Sequence, residues 1–412
     1  MWEDGAALHY RAQGPRLGAE QLLVLIGQQL GWQTVTYSEK SPLGLQGPVG
    51  KVSLEPGSQL EFSANPRASV GEAAHLVDEF ETAVDAITGP KGLHWIGLGI
   101  NPVSTVADID VIPLTRYRIM TEYLAKQGSL GTTMMRLSSS IQINFDYANE
   151  KEAIEMLRVA LAVAPLATAL FGNSPISHGK PNGWLSFRSE VWRNTDKDRT
   201  GLVPEAFEDG FSFEKYAELA WKRPLMFVQN KRGENVESYR RNLHEVMMGQ
   251  LEDCEFNEEN ELNALRQVFT EARIKPGYVE VRSIDGLRVE DRYAAVAFWT
   301  GLMYSHEGRA RALDLLGTLS IPLREELWVS AGREGMRAHV RGLSMRAIGQ
   351  ELTETAKRAL ILRGHGEERF LKPLERGLHE GKNPADHVLE LFQGPWKGSI
   401  AELIRYSAAR ST

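Results

Sequence analysis

Between Ser138 and Tyr147 the chain alternates cleanly, with Ile141, Ile143 and Phe145 on one side and Gln142, Asn144 and Asp146 on the other. Side chains of a β-strand point to opposite faces with a period of two, so this segment must lay one face on a core and turn a polar face away from it. Gly277–Ile284 repeats the pattern. From Lys51 to Ser63 it doubles back: Val52 and Leu54, then Pro56 and Gly57, then Leu60 and Phe62 alternating with Gln59, Glu61 and Ser63, which reads as strand, turn, strand. Short strands are also expected at Leu93–Ile100, with glycines at 97 and 99, and at Trp184–Ser189.

Helices are expected between these strands. Gly18–Gly31 is amphipathic and ends on a glycine stop signal, and Ser69–Ile87, Thr115–Lys126, Glu150–Phe171, Arg292–Ser305 and most of the chain beyond Arg309 read the same way. The longest apolar run, Val159–Gly172, has 14 residues and contains Pro165, so it predicts a buried core helix and not a membrane span. Gly172–Gly201 is rich in Gly, Asn, Ser, Asp and Pro and should be mostly loop; a segment of that length inside a compact domain is usually functional. Scattered strands without regular strand–helix alternation favour an α+β fold over a doubly wound parallel sheet. No repeat or linker divides the 412 residues, so a single domain spanning 1–412 is expected, with 306–412 as its mostly helical C-terminal part.

Charge and cysteine usage exclude several classes of function. Forty-seven basic against fifty-four acidic residues give a net charge of −7, with no basic tract to follow a phosphate backbone. Cys254 is the only cysteine, which rules out an intramolecular disulfide, a cysteine zinc cluster and a Cys-x-x-Cys redox pair. Met1–Tyr10 lacks a basic start followed by an apolar core. A cytoplasmic protein with neither nucleic-acid nor membrane partners is the expectation. Gly97-Leu-Gly99 and Gly128-Ser-Leu-Gly131 fit neither the Walker nor the dinucleotide pattern. There is no His-Glu-x-x-His and no Gly-x-Ser-x-Gly, so zinc hydrolases and serine esterases are not indicated.

Two constellations remain. Glu55, Gln59 and Glu61, then Gln142, Asn144 and Asp146, then Glu280 with Arg282, place oxygen donors on one face of three strands. Magnesium wants oxygen ligands shared with substrate phosphates. The same alternation also describes the solvent face of any half-buried strand. The second constellation gathers Lys180, Arg188, Lys197 and Arg199 in one loop region, where guanidinium groups could grip an anionic substrate. Internal Asp–Arg and Asp–Lys pairs on a surface loop would read identically.

Leu54-Glu-Pro-Gly-Ser-Gln-Leu-Glu61, Gly128-Ser-Leu-Gly-Thr-Thr-Met-Met135, Gln142-Ile-Asn-Phe-Asp146, Ala167-Thr-Ala-Leu-Phe-Gly-Asn-Ser-Pro175, Gly179-Lys-Pro-Asn-Gly183, Arg188 to Gly201, Tyr278-Val-Glu-Val-Arg-Ser-Ile-Asp285 and Phe298-Trp299 occur in this order. Together they resemble the plant and proteobacterial type of glutamate–cysteine ligase. The resemblance implies a glutamine-synthetase-like curved antiparallel sheet with surrounding helices. It also implies ATP and magnesium as cofactors, glutamate and cysteine as substrates, and the first step of glutathione-type thiol synthesis through a γ-glutamyl phosphate. Carried onto this chain, it makes Glu55, Gln59, Glu61 and Glu280 metal ligands, Gln142, Asn144 and Lys180 nucleotide contacts, and Arg188 and Arg282 the catalytic clamps. Met134, Met135, Arg188, Tyr216 and Trp299 become substrate contacts, while Asp196–Arg199 holds a loop in shape. Relatives open on a Gly-x-Glu-x-Glu strand, which is expected upstream of Met1-Trp2-Glu3-Asp4 or lost. A different amine acceptor, or a non-catalytic amino-acid or nucleotide-binding relative, are the alternatives, and a monomer or homodimer is expected.

Overall fold

The computed structural model describes residues 1–38 and 41–408. Helix α1 (Ala19–Leu30) follows the amphipathic pattern, buries Ala19, Leu22, Leu23 and Ile26, and stops at Gly31, whose φ of 66° is the left-handed cap a glycine adopts without strain. Strands β1 (Gln33–Ser38), β2 (Ser41–Gly47), β3 (Gly50–Leu54) and β4 (Leu60–Ala64) form an antiparallel meander in that order. Its last hairpin is the strand, turn, strand expected, with Val52 opposite Phe62 and Leu54 opposite Leu60. Helices α2 (Val70–Thr88), α3 (Thr115–Gln127) and α4 (Gly131–Leu137) pack around this sheet.

Strand β5 (Ser140–Asp146) leads into α5 (Glu150–Phe171), whose start is fixed by the Asn149 side chain accepting the Glu152 N–H. Nearly all of α5 from Ala153 onward is buried. At 22 residues it is longer than the 14-residue apolar run and is apolar enough to cross a membrane, yet 89% of its most apolar stretch is covered by the protein. Pro165 removes one helical hydrogen bond, and packing on every side holds the helix together through it.

Next come the hairpin β6 (Ile176–Ser177) and β7 (Lys180–Pro181), helix α6 (Phe187–Arg193), strand β8 (Thr200–Gly201) and helix α7 (Phe213–Lys222). A hairpin of β9 (Phe227–Gln229) and β10 (Asn235–Glu237) follows, then α8 (Leu243–Met247) and α9 (Glu258–Arg266). Strands β11 (Phe269–Thr270), β12 (Ala272–Lys275) and β13 (Tyr278–Asp285) come next. Helices α10 (Val289–Met303), α11 (His306–Leu316), α12 (Ile321–Glu334), α13 (Met345–Arg363), α14 (Lys372–Glu380), α15 (Pro384–Gln393) and α16 (Ile400–Ala408) complete the helical C-terminal part.

The α+β expectation holds, with the antiparallel strands in two main groups: β1-β2-β3-β4, and β12-β13-β5. Beneath the second sheet Ile143, Phe145, Val279, Val281 and Ile284 join α5 and α10 in one core, where each fully buried Val, Leu or Ile contributes about 1.5–3 kcal/mol. A second core gathers α1–α4 and the first sheet around Leu23, Ile26, Val52, Tyr123, Met135 and Trp192.

Two expected strands are corrected. Trp184–Ser189 runs into α6, because the Ser186 hydroxyl caps the helix by accepting the Ser189 N–H. Leu93–Ile100 makes only isolated bridges, Trp2 to Leu93 and Ile100 to Ser138. Its glycines serve close approach instead: a Cβ on Gly97 would lie 2.3 Å from the Leu287 carbonyl oxygen, and one on Gly99 would lie 2.6 Å from the Asp285 carboxyl carbon.

Candidate active site

The polar face of β12-β13-β5 is the floor of the site. Glu280 on β13 stands opposite Arg273 on one side and Asn144 on the other, and Gln142, Asn144 and Asp146 are exposed along β5. Burial alone would raise the Glu280 carboxyl, but Arg282 (2.8 Å) and Arg273 outweigh it and hold it down at about 2. Between Val281 and Ile284 the pairing with β5 slips by one residue, a bulge that falls on Arg282 and Ser283. Bulges bend a strand and re-aim side chains. Here the Arg282 guanidinium carbon lies 5.4 Å from the ring centre of Trp192, and that of Arg188 lies 5.7 Å from the same ring. The two expected clamps therefore flank one aromatic plate.

Asp285, at the end of β13, fixes Arg188. One of its carboxylate oxygens accepts the Asn173 N–H at 2.8 Å and the Ser174 hydroxyl at 2.6 Å; the other accepts the Ser186 hydroxyl at 2.9 Å and lies 3.9 Å from Arg188. The Ser174 hydroxyl oxygen accepts the Arg188 N–H, and Arg188 Nη2 donates to the Arg282 carbonyl at 2.8 Å. The Arg188 Nε is buried with no partner. Burial lowers the pKa of Arg188, opposed by Asp285 and Glu271. This network explains why the 167–175, 188–201 and 278–285 motifs belong together.

The acidic pair Glu55 and Glu61 sits beside this floor. Burial first, then the Glu61 carboxylate, push the Glu55 carboxyl up to about 7, against the fields of Arg116, Arg282 and Arg273. Glu61 accepts one bond from Ser63 at 3.2 Å. Two carboxylates sharing a partly buried space suit one or two ligand positions of magnesium, with phosphates supplying others. No group of three or more His, Cys, Asp or Glu close enough to hold a metal occurs among the described residues.

Several sequence expectations change. Gln59 is not free for a metal: it lies in the β3–β4 turn, where its amide oxygen accepts the Gly57 N–H and its amide nitrogen donates to the carbonyls of Met135 and Ser138. Trp299 is fully buried in the core under the sheet, on the face opposite the polar one, and does not line the site. Lys180 stands exposed on the β6–β7 hairpin, which Gly179 ties to Pro102, so the four cations of the 180–199 segment do not converge. Arg199 instead spends its guanidinium on Asp196, Tyr123, Gln267 and Pro224, in keeping with a shape-holding role for Asp196–Arg199. Met134 and Met135 are buried in the core that contains Trp192, and the Tyr216 hydroxyl accepts the Ile274 N–H at 3.1 Å.

Sequence reasoning passed over Arg273, Asp285 and Glu271. Arg273 sits at the period-2 position opposite Glu280, which pairing of the two strands would have revealed. Asp285 closes the quoted 278–285 motif. Glu271 carries no pattern signal at all.

The family model for glutamate-cysteine ligase family 2 matches residues 12–406. The chain is 34% identical over 384 residues to a Medicago truncatula protein named glutamate–cysteine ligase, chloroplastic, covering 92% of this chain and 75% of the relative. The protein of the same name from Arabidopsis thaliana is also 34% identical, with 92% and 73% covered. A glutamate–cysteine ligase from Francisella tularensis, solved in complex with AMP, shares the fold: TM-score 0.55, 12% identity, 87% of this chain and 80% of that one covered. The relatives' chloroplastic names overturn the cytoplasmic expectation. A single cysteine excludes an internal disulfide but does not choose among compartments that keep thiols reduced. Matched over nearly its whole length, the chain belongs to glutamate-cysteine ligase family 2 and is a ligase.

Proposed function

We propose that the protein joins the γ-carboxylate of glutamate to the amine of cysteine at the expense of ATP, through a γ-glutamyl phosphate. The relatives' names give the two substrates that are joined, and one observation supports the reaction on this chain. Two arginines, Arg188 and Arg282, stand over Trp192, and the field of Arg282 reaches Glu55 of the Glu55–Glu61 acid pair, next to a sheet face lined with amides. Phosphoryl transfer asks a protein for charge neutralisation and alignment, not for a covalent nucleophile.

Each group has a part in that scheme. Arg282, braced by Glu280, and Arg188, braced by Asp285 and the Arg282 carbonyl, present fixed donors to carboxylate and phosphoryl oxygens. Glu55 and Glu61 would hold magnesium, which when bound spreads the charge of the transferring phosphoryl group. Gln142 and Asn144 line the exposed edge, where nucleotide contacts are available. Glutamate, cysteine and ATP are the partners in this reading, in a monomer or homodimer. Incubation with ATP, magnesium, glutamate and cysteine should release ADP and γ-glutamylcysteine in equal amounts; ADP release that ignores both amino acids sinks the reading.

A further inference from the structure

Three carboxylates share the buried space around Arg188 and Arg282, and they are not equivalent. Glu280 is gripped by two guanidinium groups, and Asp285 accepts three hydrogen bonds besides facing Arg188. Glu271 is 5% exposed, yet its carboxylate makes no hydrogen bond and no ion pair among the described residues. Its fields come from Arg188 and Arg282, and burial pushes its carboxyl up to about 7.

The backbone holds Glu271 in place from both sides. Its N–H donates to the Gly201 carbonyl at 3.0 Å, and its carbonyl accepts the Arg282 N–H at 2.9 Å. The parallel pairing of β11 with β8 just before it and β12 just after it leave it no freedom to turn outward. A buried carboxylate is normally satisfied by donors. One held rigidly beside two cationic clamps, with no donor of its own, is complementary to a ligand that brings a positive group together with a carboxylate.

We infer that Glu271 selects an α-amino acid as the carboxylate substrate, receiving the α-ammonium of glutamate while Arg188 and Arg282 hold its α-carboxylate. The inference rests on the ligase reading above and adds a specificity residue to it. Glutarate, which is glutamate without the amine, is the discriminating probe. A site built to bond a substrate amine rejects the analogue that lacks it by large factors, because its own polar group is then stranded.

The test measures kcat/KM for glutamate and for glutarate by ADP release with cysteine as acceptor. The wild-type protein should prefer glutamate by about 10³-fold, and Glu271→Gln should shrink that ratio by about 10²-fold, mainly through the KM for glutamate, leaving the KM for cysteine in place. A ratio unchanged in Glu271→Gln makes Glu271 a mere counter-charge for the arginines and overturns the inference. If the glutamine variant does not fold, the wild-type ratio decides: equal use of glutarate overturns the inference, and strong rejection that Glu271→Asp weakens supports it. Absence of any glutamate-dependent turnover in the wild type overturns the ligase reading itself, a distinct result.

Discussion

Arg188 and Arg199 lie 11 residues apart, both buried, and they are used in opposite ways. Every nitrogen of the Arg199 guanidinium is bonded: Nε to Asp196 at 2.6 Å, Nη1 to the Gln267 carbonyl, Nη2 to the Tyr123 hydroxyl and the Pro224 carbonyl. Arg188 has one firm hydrogen bond, a carboxylate at 3.9 Å and an unpartnered Nε. A guanidinium with every nitrogen committed fastens loops together. One that keeps donors in reserve, while neighbours fix its direction, is equipped to receive an anion. Burial alone does not separate the two roles; the bonding census does.

A graded series of substitutions separates the two arginines. Arg188→Ala should lower kcat/KM by about 10³-fold or more, since removing preorganised donors strikes the transition state, and should cost less stability than the loss of Arg199 because Asp285 keeps its three hydrogen bonds. Arg199→Ala should do the reverse, costing about 3–5 kcal/mol of stability in urea titrations because Asp196 is left buried and uncompensated, with KM values of the folded fraction unchanged. Asp285→Asn sits between them: a drop of about 10-fold to 100-fold in kcat and about 1–3 kcal/mol of stability, as the donors on its carboxylate lose charge-assisted bonds and Arg188 loses its aim.

The smallest effect concerns pH. Glu55 and Glu271 have folded-state values of about 7 against 4.5 for an ordinary glutamate, so the folded protein holds extra protons between those values. Their contribution to stability is therefore present in full below about 4.5 and is lost as pH rises through about 7. Urea midpoints measured across that window without divalent cations should fall, and Glu55→Gln should flatten the slope; an unchanged slope would show that the Glu55–Glu61 pair is not strained.

Much of this was legible in the sequence where a single segment carries its own pattern. The bounds of α5 follow from its apolar run and its Asn149 cap, and the polar face of β5 follows from strict alternation. Glu55 and Glu61 were recognisable as acids at the two ends of one hairpin turn. Residues defined by tertiary neighbours were not. Gln59 looks like one more polar strand residue until the turn folds it onto the Met135 and Ser138 carbonyls. Lys180 and Arg188 are near in sequence, but a hairpin and a helix cap send one to the surface and the other inward. Glu271 lies between the pairing of β11 with the distant β8 and the local β12–β13 hairpin, and only its burial without a donor marks it.

The Asp285 carboxylate reaches back 112, 111 and 99 residues to its three donors. Contacts closing loops of that length form only after much chain entropy has been surrendered. On refolding, secondary structure in α5 should therefore recover before Arg188 and Arg282 are aimed. A lag between the return of helical signal and the return of ligase activity is the kinetic signature of a site assembled by its last strand, and a ribosome-bound chain would stay inert until β13 had emerged.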